Sequence, residues 1–236
     1  MLLAIDTSTR QAGVALYERR RGLLAEQIWF TANRHTEELM PAIAGLFAVA
    51  GVTPADLAAI AVAIGPGSFT GLRVGLAAAK GLAIAQGVTV LGIPTLDITA
   101  YPHQSQPVPL IALAQAGRGR VYWAPYAHGP SGWGPQEPYA LATIPEVANA
   151  VTRPIAFAGE LSAEDLATLQ RFAGKQRVIA LSPALSARRP ACLAEMALAR
   201  FDQGQLDDLA SLSPIYLQTA DGAPVRPAPA QESRPR

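Results

Sequence analysis

Gly65-Pro66-Gly67-Ser68-Phe69-Thr70-Gly71-Leu72-Arg73-Val74-Gly75-Leu76, running on to Lys80-Gly81-Leu82, is the stretch that decides the fold. A short apolar run at 59–64 enters a glycine turn, and a long helical pattern over 69–86 leaves it. Gly65 and Gly67 allow positive φ or close backbone approach, and Pro66 stiffens the turn between them. Ser68 is placed to cap the helix through its hydroxyl. At about 100° per residue, Leu72, Leu76, Ala79 and Ala83 share one face. Gly71, Gly75, Ala78 and Leu82 lie on a second, also apolar, while Arg73 and Lys80 mark a narrow polar ridge. That apolar arc is wider than a surface helix needs. One face can cover a sheet, and the small-residue face is left wanting a partner.

Working outward, residues 2–5, 12–17 and 23–30 read as three strands joined by short polar turns, an antiparallel meander. The pattern over 36–50 predicts a helix without a charged or polar side chain from Leu39 to Gly51. A helix apolar all round is expected to be buried all round. Its spare face carries Ala42, Gly45 and Val49. Another strand at 89–93 and a short helix from Pro94 complete a β-β-β-α-β-α-β-α lobe over residues 1–101, an α/β arrangement with helices on a mixed sheet. The Gln/Pro-rich piece 102–109 separates it from a second lobe, assigned to 102–218. That lobe opens on a hairpin at 110–126 and ends with a helix at 190–203. Residues 128–138 read as loop. Residues 219–236, with four prolines and no apolar period, read as a disordered tail.

Four further stretches agree with the glycine turn in pointing to one family: Ala4-Ile5-Asp6-Thr7-Ser8-Thr9, His35-Thr36-Glu37-Glu38-Leu39-Met40-Pro41, Val121-Tyr122-Trp123-Ala124 and Pro214-Ile215-Tyr216-Leu217. Together they resemble the signature of the TsaB (YeaZ) family over residues 1–217, most strongly in the first hundred. The resemblance implies a two-lobed actin-like/sugar-kinase-like (ASKHA) fold with a degenerate second lobe. It also implies a non-catalytic subunit. Such a subunit pairs with the catalytic TsaD, assisted by the ATPase TsaE, to form N6-threonylcarbamoyladenosine next to the anticodon of tRNA. No cofactor is then expected on this chain alone, with ATP or ADP and magnesium belonging to the assembled complex. The family usually carries Asp where this chain has Gln115 and Glu where it has Arg120.

Composition agrees with a protein that needs company. Half of the residues are hydrophobic and 16% are charged, a shortage of polar surface that favours a homodimer or a standing partner. The net charge of +1 carries no nucleic-acid stripe, and Arg19-Arg20-Arg21 is the one basic cluster. Contact with tRNA is therefore expected only through a complex. A single cysteine, Cys192, excludes an internal disulfide framework. Without a secretory or membrane-spanning stretch, a cytoplasmic protein is expected.

Asp6-Thr7-Ser8-Thr9 offers one carboxylate, three hydroxyls and turn amides, groups that can clasp phosphate oxygens with the carboxylate addressing a hydrated magnesium ion. An Asx or Ser/Thr turn that satisfies its own backbone is the other reading. The glycine turn is one residue too long for G-x-G-x-x-G, and no Gly-Lys-Ser/Thr closes a Walker loop. It can attract an anion at a helix N-terminus or simply pack strand against helix. His35, His103 and His128 follow no metal-ligand spacing, and Ser68 lies outside G-x-S-x-G. A catalytic residue is not identified. The competing class is a stand-alone actin-fold ATPase or kinase, or a glycoprotease-like enzyme. It requires a second phosphate loop and an adenosine turn, which Gln115 to Arg120 and the single glycine of Ala158-Gly159-Glu160 do not supply.

Overall fold

A computed structural model describes residues 1–32, 34–130 and 132–217. The stretch 219–236, expected as a tail, lies outside them.

The first sheet has the order β3-β2-β1-β4-β5. β1 (Leu2–Asp6), β2 (Gln11–Glu18) and β3 (Gly22–Phe30) form the expected antiparallel meander, while β4 (Ala59–Ala63) and β5 (Thr89–Ile93) add in parallel. β1 and β4 are buried on both faces, so their sequences are continuous apolar runs rather than alternations. Odd and even residues of β1 divide between two cores. Leu3 and Ile5 join Ile43, Leu46 and Phe47 of α1 (His35–Ala50) and Leu76 of α2 (Phe69–Gln86). On the opposite face, Leu2 and Ala4 join Ala15, Ala59, Ala61 and Ala63. Alanines on that face leave room for a second helical layer.

The second sheet repeats the plan. β6 (Leu110–Gly117) pairs antiparallel with β7 (Arg120–Gly129), which pairs with β8 (Gly132–Pro135) and β9 (Ala140–Thr143). On its other side β6 runs parallel to β10 (Ile155–Gly159), and β10 to β11 (Val178–Ala180). Two lobes built on one strand order form the expected actin-like/sugar-kinase-like architecture. β8 and β9 fall where a loop was expected or just beyond it. They are short, with glycine or proline in β8, so a period-2 pattern could not reveal them.

α3 (Thr95–Ala100) joins the lobes: Ile98 faces the first sheet, Leu96 and Ala100 the second. Its Asp97 Oδ1 accepts hydrogen bonds from Tyr126 (2.6 Å) and Tyr139 (2.7 Å) of the second lobe. Burial raises the Asp97 pKa, against the pull of the two phenols. α4 (Ile144–Asn149) and α5 (Ala163–Ala173) cover the second sheet, and α6 (Pro183–Ser186) follows β11. α7 (Pro190–Asp202), grouped by its sequence position with the second lobe, crosses back. Its Leu193, Ala194 and Ala197 fill the alanine-lined face of the first sheet.

α1 is not buried all round. Leu39, Ile43, Leu46 and Phe47 face the sheet, while Val49 is 82% exposed and Met40 46%. Ile84 of α2 is 70% exposed. The two helices pack side by side, and each leaves apolar side chains uncovered within this chain.

Two kinds of helical glycine follow from this packing. A Cβ on Gly75 would lie 2.2 Å from Thr7 Oγ1, and one on Gly71 2.1 Å from the Thr7 carbonyl. Gly45 and Gly81 have nothing within 4 Å of an added Cβ. Gly75→Ala is therefore expected to lose about 1–3 kcal/mol or more through overpacking. Gly45→Ala should gain up to about 1 kcal/mol from helix propensity. Denaturant melts of the two variants check this; a Gly75→Ala protein as stable as the parent would refute the packing.

Candidate functional site

The turn between β1 and β2 lies at the base of the cleft between the lobes, pressed against the glycine turn. Ser68 N donates to the Ser8 carbonyl at 2.6 Å, and a Cβ on Gly67 would sit 2.1 Å from the same oxygen. Thr7 Oγ1 donates to the Gly71 carbonyl at 2.7 Å. Glycine at 67, 71 and 75 thus answers to close approach; positive φ is required at Gly65, where φ is 102°. Ser68 caps α2 as expected, its Oγ accepting from Gly71 N at 3.2 Å. His35, buried at the start of α1, donates from Nε2 to the Thr9 carbonyl at 2.9 Å and fixes the far end of the turn.

Every side chain of Asp6-Thr7-Ser8-Thr9 is engaged within the protein. Asp6 Oδ1 accepts from Ser8 N (2.9 Å) and Ser8 Oγ (2.6 Å), an Asx turn with a second bond. Thr9 Oγ1 donates to Glu160 Oε1. Arg188, from the segment between α6 and α7, comes in from the side. Its Nε bonds Asp6 Oδ2 at 2.5 Å, Nη1 bonds Glu160 Oε1 at 3.0 Å, and Nη2 reaches Thr9 Oγ1 at 2.7 Å and the Gln11 carbonyl at 3.0 Å. Arg188 is 3% exposed and Asp6 2%. Burial disfavours the charged guanidinium, but Asp6 and Glu160 outweigh it and hold its pKa above the ordinary arginine range. Four hydrogen bonds, to two carboxylates, a hydroxyl and a carbonyl, are what make so deep a charge tolerable.

These residues do not fit a metal-bound nucleotide. Both oxygens of Asp6 are committed, and a fixed cation stands in front of the carboxylate where a hydrated metal would have to be. Among the described residues, no group of three or more His, Cys, Asp and Glu is placed to hold a metal ion. What the arrangement does is staple the lobes: Asp6 belongs to the first, Glu160 to the second. Gln115 extends the network, donating from Nε2 to the Glu160 carbonyl (2.9 Å) and to Asp165 Oδ2 (3.2 Å). A carboxylate at 115 could make neither bond, so the amide suits this pair of acceptors.

The residues expected at a partner interface are divided by the structure. Gly45 and Val49 lie on the open face of α1, and Ala78 lines a groove of about 460 Å³ between α1 and α2, with Met40, Phe69 and Val74. Leu82 is half-buried against the first core. Ala42 belongs to that core, and Gly71 and Gly75 face Thr7. These three are not on the open face, so a bulky side chain at Gly75 would attack the fold rather than a contact. Arg188 was not identified from the sequence. Arg188-Arg189-Pro190 reads locally as a solvated helix start, and only the long-range pairing distinguishes its first arginine.

Arg188→Met would leave Asp6 buried without its cation and is expected to cost about 3–5 kcal/mol. Arg188→Met combined with Asp6→Asn should recover a large part of that loss. A double-mutant cycle in urea measures the coupling; purely additive costs would contradict the pairing.

Three comparisons relate the chain to known proteins. A family model described as TsaD, tRNA N6-adenosine threonylcarbamoyltransferase, matches residues 29–131. The Escherichia coli protein named tRNA threonylcarbamoyladenosine biosynthesis protein TsaB is 32% identical over 143 residues, 59% of this chain and 61% of that relative. An uncharacterised protein of Mycobacterium tuberculosis is 40% identical over 152 residues, 64% of this chain and 70% of its own. The match thus spans less than two thirds of the Escherichia coli relative. The solved structure of YeaZ from Pseudomonas aeruginosa superposes with a TM-score of 0.74 at 27% identity, covering 92% of this chain and 99% of that one. In the light of its glycine turn, its two sheets built on one strand order and these relatives, the chain belongs to the TsaB (YeaZ) family.

Proposed function

We propose that this chain is a non-catalytic subunit in the biosynthesis of N6-threonylcarbamoyladenosine on tRNA, and that it acts by holding the threonylcarbamoyltransferase TsaD through the open face of α1 and α2. The observation that carries this reading is the closure of the Asp6 turn on Arg188, which leaves its carboxylate no part in phosphate or metal chemistry. The names of the relatives supply the pathway. The means of association is the apolar surface around Met40, Val49 and Ile84, which a pair of helices from a partner would cover in a four-helix contact. A second copy of the chain could cover the same face when TsaD is lacking.

In this reading nucleotide, magnesium and the ATPase TsaE belong to the assembly, and tRNA is reached through it. The place of action is the cytoplasm. Among the described residues no helix is long and apolar enough to cross a membrane.

Val49→Asp and Ile84→Glu are the informative substitutions, because both side chains project from the fold. Each should leave the melting temperature nearly unchanged. Each should also weaken capture of TsaD by at least about a hundredfold, since an unpaired charge in such a contact costs several kcal/mol. Capture at full strength by a folded variant would overturn the interface.

A further inference from the structure

Of the two cations on the ridge of α2, Lys80 is turned to the C-terminal segment, where its Nζ lies 3.5 Å from the Ala210 carbonyl. Arg73 is exposed and held differently. Its Cζ lies 3.7 Å from the centre of the Phe69 ring, one turn earlier on the same helix, and 5.9 Å from that of Tyr216. The two rings are 5.0 Å apart, and Arg73 Nε donates to the Tyr216 hydroxyl at 3.1 Å. Tyr216 is itself anchored: Ile215 N donates to the Ile64 carbonyl at 2.7 Å, and Leu217 packs against the core of the second lobe. The guanidinium is thus oriented in advance, yet among the described residues no carboxylate is in ion-pair range of it. It lines the groove between α1 and α2 together with the apolar Leu39, Met40, Val74 and Ala78.

We propose that Arg73 is the charged anchor of partner docking: its guanidinium pairs with a carboxylate on a helix of TsaD, one turn from a bulky apolar side chain that fills the groove. The proposal rests on the reading of the chain as the subunit that holds TsaD. A guanidinium presents parallel N–H donors that match a carboxylate, whereas a purely apolar cover would strip water from the cation with nothing in return. Stacking on two aromatic rings before binding lowers the side-chain entropy lost on docking, which suits an arginine to carry much of the affinity. Charge complementarity favours a different chain over a second copy. α2 carries no acidic residue, and α1 has only Glu37 and Glu38, in its first turn. Glu38 is already engaged by Trp29 and Arg34. A two-fold contact would bring two Arg73 side chains to a surface with little to receive them. Tyr216 is then a positioning residue, acting through Arg73 and touching no partner.

The affinity of the full chain for TsaD, measured by calorimetry at low and high sodium chloride beside the melting temperature of each variant, tests this. Arg73→Gln should weaken binding by at least about tenfold at low salt, flatten its salt dependence and leave the melting temperature nearly unchanged. Arg73→Lys keeps the charge without the fork or the stack, and should still bind at least about threefold more weakly than the parent. Tyr216→Phe should weaken binding by about threefold on its own and have no further effect beside Arg73→Gln. A tyrosine with a merely structural role would cost the same in both backgrounds. Full affinity of Arg73→Gln, with binding lost in Ile84→Glu, overturns the proposal and leaves TsaD docking standing. Full affinity of both variants overturns the two together. Binding losses that follow a fall in melting temperature through the Gln and Lys variants return Arg73 to the fold, against the proposal. Loss of self-association in sedimentation with TsaD binding intact assigns the arginine to a second copy, and overturns it equally.

Discussion

The pairing of Arg188 with Asp6 and Glu160 is the interaction on which the rest of the molecule turns. It places one buried cation between carboxylates of two lobes and satisfies it with bonds to Thr9 and the Gln11 carbonyl. The turn whose groups could clasp phosphate is closed here by a side chain of the protein itself. Removal of Arg188 would leave Asp6 buried without its cation, at a cost of several kcal/mol, whereas removal of the Asp6 charge still leaves Glu160 opposite the guanidinium. The pair therefore sets the relation of the lobes and withdraws Asp6 from other chemistry at one stroke.

Around that pair, close packing of small residues does the positioning. Gly67, Gly71 and Gly75 let α2 rest directly on the Asp6–Thr9 turn, so one helix both covers the sheet and fixes the turn's backbone. The alanines of β1, β2 and β4 do the same for α7 on the opposite face, and α7 follows Arg188 by two residues. Docking α7 on the first sheet thus delivers the arginine to its carboxylates. The surface that results is uneven: satisfied polar groups within the cleft, and an apolar helix pair turned to the outside.

The meander, both long helices, the capped glycine turn and the two-lobed plan were legible from periodicity and turn chemistry, because each is local. The strand order 3-2-1-4-5 was not read from the sequence, since a meander followed by βα units leaves open which edge strand β4 joins. The exposed face of α1 was legible only as a surplus. Its composition called for burial all round, and without a partner Val49 and Met40 remain in solvent. Gly71 and Gly75 looked alike with Gly45 because sequence reports a missing side chain and not what lies opposite it. The departure at Gln115 was visible, but not its reason, which is a pair of acceptors on Glu160 and Asp165 forty-five and fifty residues away. Arg188 was not legible, being 182 residues from the carboxylate it serves.

The most direct test of the central claim is the rate of threonylcarbamoyl transfer to tRNA by TsaD reconstituted with this chain bearing Asp6→Asn. The substitution removes the carboxylate charge but leaves Glu160 to hold Arg188. If Asp6 is a structural counter-ion and the chain a scaffold, turnover should remain within about twofold of the parent at equal assembly, as judged by sedimentation; a fall of about a hundredfold or more in a fully assembled complex would contradict the account and return Asp6 to the chemistry.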